Sequence, residues 1–381
     1  VLMRDSDTVA RLGGDEFVIL AEDVDDEQEA SALAARILDA LEDPISVGTA
    51  EVSMLASVGI SISADPDRDP EAMLREADVA MYEAKSAGGR RLALFDESMR
   101  QRINDDAELE ARLREALPKR ELWLAYQPIL PLKGGAAVAC EALVRWRPLE
   151  GDPFSAGDLV PARFLPPAES SDLIVQIGNW VLHSACAQAE RWRRAGLAIP
   201  IGVNVSAREL TELDLAERVR EELAYCRLPG RALCLEVSEE AVMRDPERAR
   251  EALRDVKRLG VTIALDRFGS STNTLGLPTN MPLDMLKLDR SLTSSFDRDK
   301  ERRAIFAASI ALAKEARLTA IAVGIETQRQ LALARELDCS VGQGFLLHGP
   351  DTAERVRLRD PGRSITSAPW RPLVRLGGAS R

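Results

Sequence analysis

The alternation of short apolar runs with amphipathic helical segments between residues 107 and 358 constrains the fold more than any other feature. Eight such runs follow one another: LWLAYQPIL, AVACEALVRW, IPIGVNVS, ALCLEVSEE, VTIALDRF, DMLKLDRS, LTAIAVGIE and SVGQGFLLHG. Strands that alternate with helices indicate a parallel sheet, and eight of them in one domain match a (β/α)8 barrel. The sequence therefore predicts an α/β protein with a TIM-like barrel over 107–358.

A different pattern occupies the first part of the chain. Residues 17–20 and 52–62 carry the apolar pattern of strands. Residues 26–42 and 70–89 have the apolar spacing of amphipathic helices, and the charged stretch 96–117 is typical of a solvated connecting helix. We therefore expect four regions: 1–98 as one α/β unit, 99–117 as a connecting helix, 107–358 as the barrel and 359–381 as a loose tail.

Charge and cysteine content narrow the classes of function. The formal net charge is -12 and the pI is about 5.0, which opposes broad binding to nucleic acid or a membrane surface but allows a local site for a small anion. No apolar run reaches the roughly 18 residues of a membrane span, and no signal peptide is recognisable. The five cysteines include no Cys-x-x-Cys pair, which indicates reduced thiols and a cytoplasmic protein. With only two histidines, the chemistry must rest on carboxylates, amides and lysine.

Polar side chains lie at or near the ends of nearly all the predicted barrel strands. They are Gln127, Glu141, Asn204, Glu236, Asp266, Lys287 with Asp289, and Gln343. The carboxyl ends of barrel strands meet at one mouth, where barrel proteins bind their ligands. Carboxylate and amide oxygens gathered there would suit a hard divalent cation. The seventh strand is the exception, because it carries Val323 where a polar residue is expected.

Several motifs in the barrel region resemble those of one family. CEALVRW (140–146) is similar to the signature of the EAL domain, the cyclic di-GMP phosphodiesterase family. The motifs YQPI, FLPPAE, VNVSA, LEVSE, LDRFG, LKLDRS, GIET and GQGF stand around it in the family's order. The resemblance implies a bacterial signalling protein with cyclic di-GMP as its ligand. It also implies hydrolysis to the linear dinucleotide by two metal ions that activate a bridging water.

The resemblance also implies roles for individual residues. The ligands of Mg²⁺ or Mn²⁺ would be Glu141, Asn204, Glu236 and Asp266. Catalysis would depend on Lys287 beside the attacking water, on Glu141 and Asp266, and on Glu239 as a brace for the loop after the fifth strand. The other ligand-binding positions would be Gln127, Arg145, Glu169, Asp289 and Gln343, with Arg145 on a phosphate. A homodimer through the EAL domain is a further expectation.

Two positions depart from the family's pattern. Where the family has Asp-Asp-Phe-Gly-Thr-Gly, this chain has DRFGSS, so Arg267 replaces a ligand of the second metal. Where the family has Glu-Gly-Val-Glu, this chain has VGIE, so Val323 replaces the first carboxylate. Both changes fall in one metal cluster, and the loop SSTNTLGLPTN that follows also differs from the family's. The resemblance therefore supports one metal site but not the second.

Arg267 admits two interpretations. A guanidinium about 4 Å from a carboxylate contributes an attraction of about 4 kcal/mol at a surface-like dielectric. Arg267 could thus hold the remaining carboxylates together as a substitute for the charge of a cation. It could equally point into solvent and merely remove a ligand. In neither case can it bind a water and lower its pKa, so both interpretations predict weakened hydrolysis.

The first part of the chain resembles the later half of a GGDEF domain, the diguanylate cyclase family, through RLGGDEFVIL, SVGISI and ADVAMYEAKSAGGRR. The implied motif residues are Gly13, Gly14, Asp15, Glu16 and Phe17, with Asp15 and Glu16 at metal and base positions and Lys85 and Arg90 near phosphates. RDSD, with Arg4 and Asp7, resembles the family's inhibitory site for cyclic di-GMP. The family's first strand and one metal-binding Asp are not found here, so we expect no cyclase activity.

Three functions remain open on the sequence alone. The first is a degenerate EAL domain that binds cyclic di-GMP, or regulates through its conformation, without efficient hydrolysis. The second is a slow phosphodiesterase in which one metal and Lys287 suffice. The third is a protein-interaction module that no longer binds the nucleotide.

Overall fold

Two compact units make up the chain, Val1–Leu109 and Glu110–Arg381. The structure is a computed structural model. It describes residues 3–358 except 5, 14–15, 25, 43–44, 48–49, 53–55, 66, 87–88, 150–153, 155–156, 170, 213 and 270–279. The predicted tail at 359–381, the divergent loop after the fifth barrel strand, and Gly14 and Asp15 of the GGDEF motif therefore lie outside the described residues.

Within its described residues, the first unit contains three two-stranded sheets and the helices beside them. The strands are β1 (Thr8–Gly13), β2 (Glu16–Leu20), β3 (Ile45–Val47), β4 (Ala50–Val52), β5 (Val58–Ile60) and β6 (Leu92–Leu94). The helices of this unit are α1 (Glu27–Glu42) and α2 (Pro70–Ser86), and α3 (Glu97–Ala116) begins in this unit and ends in the second one. The pairs β1–β2 and β3–β4 are antiparallel, whereas β5 and β6 are parallel. A Cβ on Gly59 of β5 would lie 2.0 Å from the Ala77 carbonyl oxygen, so this glycine lets α2 pack directly on the strand.

The predictions for this unit are confirmed in part. The strand predicted at 17–20 is β2, and the helices predicted at 26–42 and 70–89 are α1 and α2. The single strand predicted at 52–62 is wrong, because β4 ends at Val52 and β5 covers only Val58–Ile60. The short strands β1, β3 and β6 were not predicted, since three to six residues carry too little periodicity to be recognised.

The second unit is a closed eight-stranded barrel, which confirms the predicted fold. Its strands are β7 (Leu122–Pro131), β8 (Ala139–Trp146), β9 (Ile201–Val205), β10 (Leu233–Ser238), β11 (Thr262–Phe268), β12 (Met285–Leu288), β13 (Thr319–Val323) and β14 (Val341–Gln343). They follow one another around the barrel in chain order, and β14 closes it against β7. The helices are α4 (Pro161–Glu169), α5 (Leu173–Arg194), α6 (Ala207–Thr211), α7 (Leu215–Tyr225), α8 (Glu239–Arg244), α9 (Pro246–Arg258), α10 (Arg290–Ser295), α11 (Lys300–Glu315) and α12 (Gln328–Glu336).

The first barrel strand departs from the all-parallel pattern. β7 is antiparallel to both neighbours, β8 and β14. The connection from Pro131 to Ala139 contains Gly134 and Gly135 at φ values of 90° and 129°, and it is too short for the crossover helix that a parallel pair requires. β7 therefore begins at the end of the barrel where the parallel strands finish, because Leu122 pairs with Trp146 at the end of β8.

The end of α3 is fastened to this end of the barrel. Both carboxylate oxygens of Glu121 accept hydrogen bonds of 2.7 Å from Arg112 on α3. The indole nitrogen of Trp146 donates to the same carboxylate at 3.0 Å, and Trp146 is completely buried. The buried charge of Glu121 is therefore paired and hydrogen-bonded, as a buried carboxylate requires.

Alternate residues along each strand point into the barrel and form two layers. The lower layer is an apolar cluster of Ile129, Ala139, Cys234, Ala264, Met285, Ile321 and Val341. The upper layer lies two residues further along each parallel strand, and two residues earlier on antiparallel β7. It consists of Gln127, Glu141, Glu236, Asp266, Lys287, Val323 and Gln343, with Asn204 two residues beyond Gly202 on β9. The polar layer therefore lies inside the barrel at or near the carboxyl ends of the parallel strands, as the sequence predicts, with Val323 and Gln343 as the last residues of β13 and β14.

Glu209, on the short helix α6, is a second buried carboxyl outside the barrel interior. It forms a capping box with Ser206, whose backbone N–H and hydroxyl donate to Glu209 Oε2 at 3.0 Å and 2.7 Å. Gly178 of α5 makes room for this group, because a Cβ there would lie 1.9 Å from Glu209 Oε1. Burial raises the pKa of Glu209 to about 6, although the hydrogen bonds from Ser206 oppose the rise.

We expect Glu209 to make the stability of the second unit pH-dependent. A raised pKa means that the folded state binds the proton more tightly than the unfolded chain. The resulting stabilisation is complete below pH 4.5 and is lost as the pH rises through about 6. The free energy of unfolding of the wild type, relative to Glu209→Gln, should therefore fall by about 2 kcal/mol between pH 4 and pH 7.

Urea unfolding followed by tryptophan fluorescence tests this expectation, since all five tryptophans lie beyond residue 110. Glu221→Gln, an exposed substitution on α7, is the matched control for the removal of one carboxyl group from the same unit. Parallel pH profiles for the wild type and Glu209→Gln would contradict the assignment.

Candidate functional site

A buried ammonium group lies at the centre of the upper layer. Lys287 of β12 is 2% exposed, and its Nζ lies 2.7 Å from Glu141 Oε2 on β8. It also forms a short ion pair with Glu236 of β10. Asp266 Oδ1 of β11 lies 3.7 Å from the same nitrogen. Three carboxylates from three strands thus surround one lysine, which is the arrangement a fully buried charge needs.

Amide groups complete the hydrogen bonding of Glu141. Asn204 Nδ2 donates to Glu141 Oε1 and Gln343 Nε2 donates to Glu141 Oε2, both at 2.9 Å. Gln343 Nε2 also donates to Gln127 Oε1 at 3.0 Å, and Gln127 Nε2 donates to the carbonyl oxygen of His348 at 3.0 Å. Six of the polar groups that the sequence places at the barrel mouth therefore lie in one place: Glu141, Asn204, Glu236, Asp266, Lys287 and Gln343.

Gly202 of β9 contributes to this site by having no side chain. A Cβ at this position would lie 2.2 Å from Glu236 Oε1, so any other residue would displace the Glu236 carboxyl group. The sequence analysis missed this role. A glycine inside the apolar run IPIGVNVS was the available signal, because glycine within a strand often marks the close approach of another group.

Burial and mutual charge set the protonation of the cluster. Burial, reinforced by the charge of Glu141, raises the pKa of Glu236 to about 8 despite the attraction of Lys287. Burial alone would also raise the pKa of Glu141. The charge of Lys287 and the hydrogen bonds that Glu141 accepts outweigh burial, so the pKa of Glu141 is lowered. For Lys287, burial alone would lower the pKa, but the attraction of the surrounding carboxylates is larger and raises the pKa. Lys287 is therefore an ammonium ion and Glu141 a carboxylate, and Glu236 takes up a proton more readily than Glu141.

The other predicted ligand-binding residues do not contact this cluster. Arg145 donates from its guanidinium to the neighbouring carbonyl oxygen of Val144 at 2.8 Å. Asp289 caps α10 by accepting from Ser291 N at 2.7 Å. Glu239 Oε1 accepts from Gly269 N at 3.3 Å, which fastens the backbone directly after β11. Glu169 ends α4 with an exposed side chain, and desolvation by its neighbours raises the pKa of its carboxyl group.

The two divergent positions differ from each other in their surroundings. Val323 is half-buried at the end of β13, opposite Gln343, and packs against the apolar layer below it. Arg267 is exposed and stands in a bulge of β11 with a φ of 57°. Among the described residues, the Arg267 guanidinium makes no ion pair with Asp266 or with any other carboxylate. In the structure, Arg267 is therefore an exposed cation that does not hold the carboxylates together.

A divalent cation fits part of this site by donor chemistry. Carboxylate and amide oxygens suit Mg²⁺ or Mn²⁺, and the buried Gln343 Oε1 has no hydrogen-bond partner in the described structure. As the side chains stand, however, Lys287 occupies the centre of the carboxylates. Within the described ranges, no group of three or more acidic, His or Cys side chains is arranged to hold a metal ion.

In the first unit, the residues of the RDSD and GGDEF motifs are tied into local structure. Arg4 N donates to Asp7 Oδ2 at 2.6 Å, and the Arg4 guanidinium pairs with Glu29 of α1 at 2.7 Å. Gly13 and Glu16 pair at the end of the hairpin where β1 connects to β2, and Phe17 is 63% exposed. Lys85 is in the last turn of α2, and Arg90 has a φ of 53°. No helix of the described chain is both long enough and apolar enough to cross a membrane.

Comparison with known proteins gives the same two regions. The model of the EAL domain matches residues 110–350, and that of the diguanylate cyclase GGDEF domain matches residues 1–91. The bifunctional diguanylate cyclase/cyclic di-GMP phosphodiesterase MucR of Pseudomonas aeruginosa is 36% identical over 355 residues, covering 93% of this chain and 51% of MucR. The cyclic di-GMP phosphodiesterase NbdA of the same organism is 35% identical over 351 residues, covering 92% of this chain and 44% of NbdA.

Solved structures agree with these matches. The PaMucR phosphodiesterase in complex with c-di-GMP superposes with a TM-score of 0.62 at 37% identity, covering 65% of this chain and 98% of that one. The EAL enzyme Bd1971 with cAMP and cyclic-di-GMP bound superposes with a TM-score of 0.64 at 26% identity, covering 76% and 75%. The chain spans about half the length of the curated relatives it matches. It belongs to the EAL-domain family of cyclic di-GMP signalling proteins, in the tandem arrangement in which a GGDEF region precedes the EAL barrel.

Proposed function

We propose that the barrel binds cyclic di-GMP and acts through the bound state, with little or no hydrolysis. The observation that carries the proposal is the nature of the groups at Arg267 and Val323. The family's pattern has a carboxylate at each position. Here one position is an exposed cation and the other packs against the apolar layer, so neither supplies an oxygen to a second metal ion.

Binding of the dinucleotide is supported by relatives and by the polar groups that remain. The PaMucR structure is a complex with c-di-GMP, and the Bd1971 structure has cyclic-di-GMP bound. In this chain, Arg145 and Glu169 retain the residue types of the family's ligand-binding positions, and among the described residues neither forms an ion pair that would withdraw it from a ligand. These two groups would contact the dinucleotide above the polar layer.

One divalent cation would suit the remaining donors. Glu141, Asn204, Glu236 and Asp266 would hold it, and when bound it would supply positive charge and lower the pKa of a coordinated water. Loss of the proton from Glu236 would be part of its binding, because a metal-binding carboxyl group must be ionised.

The chain's own residues provide positive charge but little basicity for hydrolysis. Lys287 stays protonated because the surrounding carboxylates raise its pKa, so it can orient a water or stabilise a negative oxygen but cannot accept a proton. Glu236 is paired with Lys287, and Glu141 accepts three hydrogen bonds. Asp266 is the remaining carboxylate next to Lys287. Efficient attack on phosphorus would therefore need the second cation.

The first prediction from this proposal concerns binding and turnover of the unmodified chain. Isothermal titration calorimetry should detect cyclic di-GMP binding both in EDTA and in Mg²⁺. Chromatography after hours of incubation with Mg²⁺ or Mn²⁺ should show no more than a trace of the linear dinucleotide. Robust hydrolysis would instead establish a phosphodiesterase, and no binding in either buffer would indicate a protein-interaction module.

The second prediction restores both carboxylates. Arg267→Asp with Val323→Glu should increase Mg²⁺- or Mn²⁺-dependent hydrolysis roughly 100-fold or more over the wild type, because an electrostatic group at a reacting centre is typically worth that much. Each single variant should stay near background. Val323→Glu alone places a carboxylate where Arg267 can pair with it, so the two effects should be strongly non-additive.

Lys287→Ala in the double variant is the control and should abolish the gain. A double variant that binds the dinucleotide but remains inactive would contradict the assignment of the defect to these two positions. That result would assign the loss of hydrolysis to the loop at 270–279 instead.

A further inference from the structure

The backbone at Arg267 has an unusual conformation. The pairing of β11 with β12 shifts register between Leu265 and Phe268, so Arg267 stands in a bulge. Its φ of 57° is in the left-handed region, which side chains other than glycine and asparagine rarely adopt. A bulge turns a side chain away from the direction that strand alternation would give it. The side chain of Arg267 is therefore not bound to the alternating pattern of β11, and it stands next to Asp266 in the chain.

The backbone on either side of the bulge is fixed. Asp266 pairs with Ser238 of β10, and Phe268 is 1% exposed. The Phe268 carbonyl oxygen accepts from Asp289 N at 2.9 Å, and Gly269 N donates to Glu239 at 3.3 Å. An exposed side chain is thus held on a rigid backbone, which is how proteins position groups that bind ligands.

The guanidinium of Arg267 differs from those of nearby arginines in its partners. Arg244 pairs with Glu240 at 3.3 Å, and Arg290 pairs with Glu326 at 2.5 Å. In the described parts of the chain, Arg267 has neither an ion pair nor a hydrogen bond. Its positive charge, with that of Arg244, lowers the pKa of Glu169 against the larger opposing effect of burial, so Arg267 acts electrostatically on the carboxyl group of a family ligand-binding position.

We propose that Arg267 binds a phosphodiester group of the cyclic dinucleotide directly and thereby makes binding independent of a divalent cation. This inference rests on the proposed function of the barrel. A guanidinium presents paired N–H donors that match two phosphate oxygens, and it remains charged at every working pH. An aspartate at this position would repel the phosphate unless a cation lay between them. The substitution therefore exchanges a metal-bridged contact for a direct one.

Calorimetric titration of the whole chain with cyclic di-GMP in EDTA tests the proposal. Arg267→Gln should weaken binding roughly 10- to 100-fold, as expected for the loss of charged hydrogen bonds, and Arg267→Lys should fall between it and the wild type. Arg258→Gln on α9 removes another exposed guanidinium and should change the dissociation constant less than twofold. Arg267→Asp should bind weakly in EDTA and recover in Mg²⁺, whereas wild-type affinity should be the same in both buffers.

Arg267→Gly separates loss of the contact from loss of the fold. Glycine accepts the left-handed backbone without strain, so this variant should unfold at the wild-type urea concentration or higher while binding as weakly as Arg267→Gln. Wild-type affinity in Arg267→Gln and Arg267→Gly would overturn the assignment of Arg267 while leaving the proposed function intact. Failure of the unmodified chain to bind the dinucleotide would overturn both.

Discussion

The ion pairs of Lys287 with Glu141 and Glu236 are the interaction on which the interior of the barrel depends. A lone buried ammonium or carboxylate would cost several kcal/mol, so each of these groups is tolerable only because the others are present. Gly202 provides the space for Glu236, and Asn204 and Gln343 satisfy the remaining oxygens of Glu141. The apolar layer beneath keeps these charges away from water on one side. The polar groups of the barrel therefore form one network rather than a set of independent residues.

This network explains how the barrel can keep several oxygens that suit a cation close together when no cation is bound, although buried carboxylates repel one another. Lys287 supplies the positive charge that the carboxylates need. A cation that entered would have to compete with an ammonium ion already in place. Retention of the family's inner residues is thus compatible with a barrel that binds its ligand without turnover, because the same residues also have a structural task.

Much of this arrangement could be predicted from the sequence, because strand alternation fixes which residues face inward. The eight apolar runs identified the barrel, and the polar residues two positions beyond Ala139, Cys234, Ala264 and Met285 identified its inner layer. The antiparallel direction of β7 could not be predicted in this way, since an apolar run has no direction until its connection is considered. The orientation of Arg267 could not be predicted either, because it depends on a bulge and a left-handed backbone that no periodicity records. In the first unit, the spacing of Arg4 and Asp7 did not reveal Glu29 as the partner of Arg4.

The reversed direction of β7 has a structural consequence. In an all-parallel barrel, the chain enters at the end opposite to the ligand mouth. Here it enters at the mouth itself, where Arg112 of α3 is fastened to Glu121 and Trp146, and where Trp123 pairs with Arg145. The part of α3 that carries Arg112 and the polar layer therefore lie towards the same end of the barrel, and the apolar layer lies towards the other end.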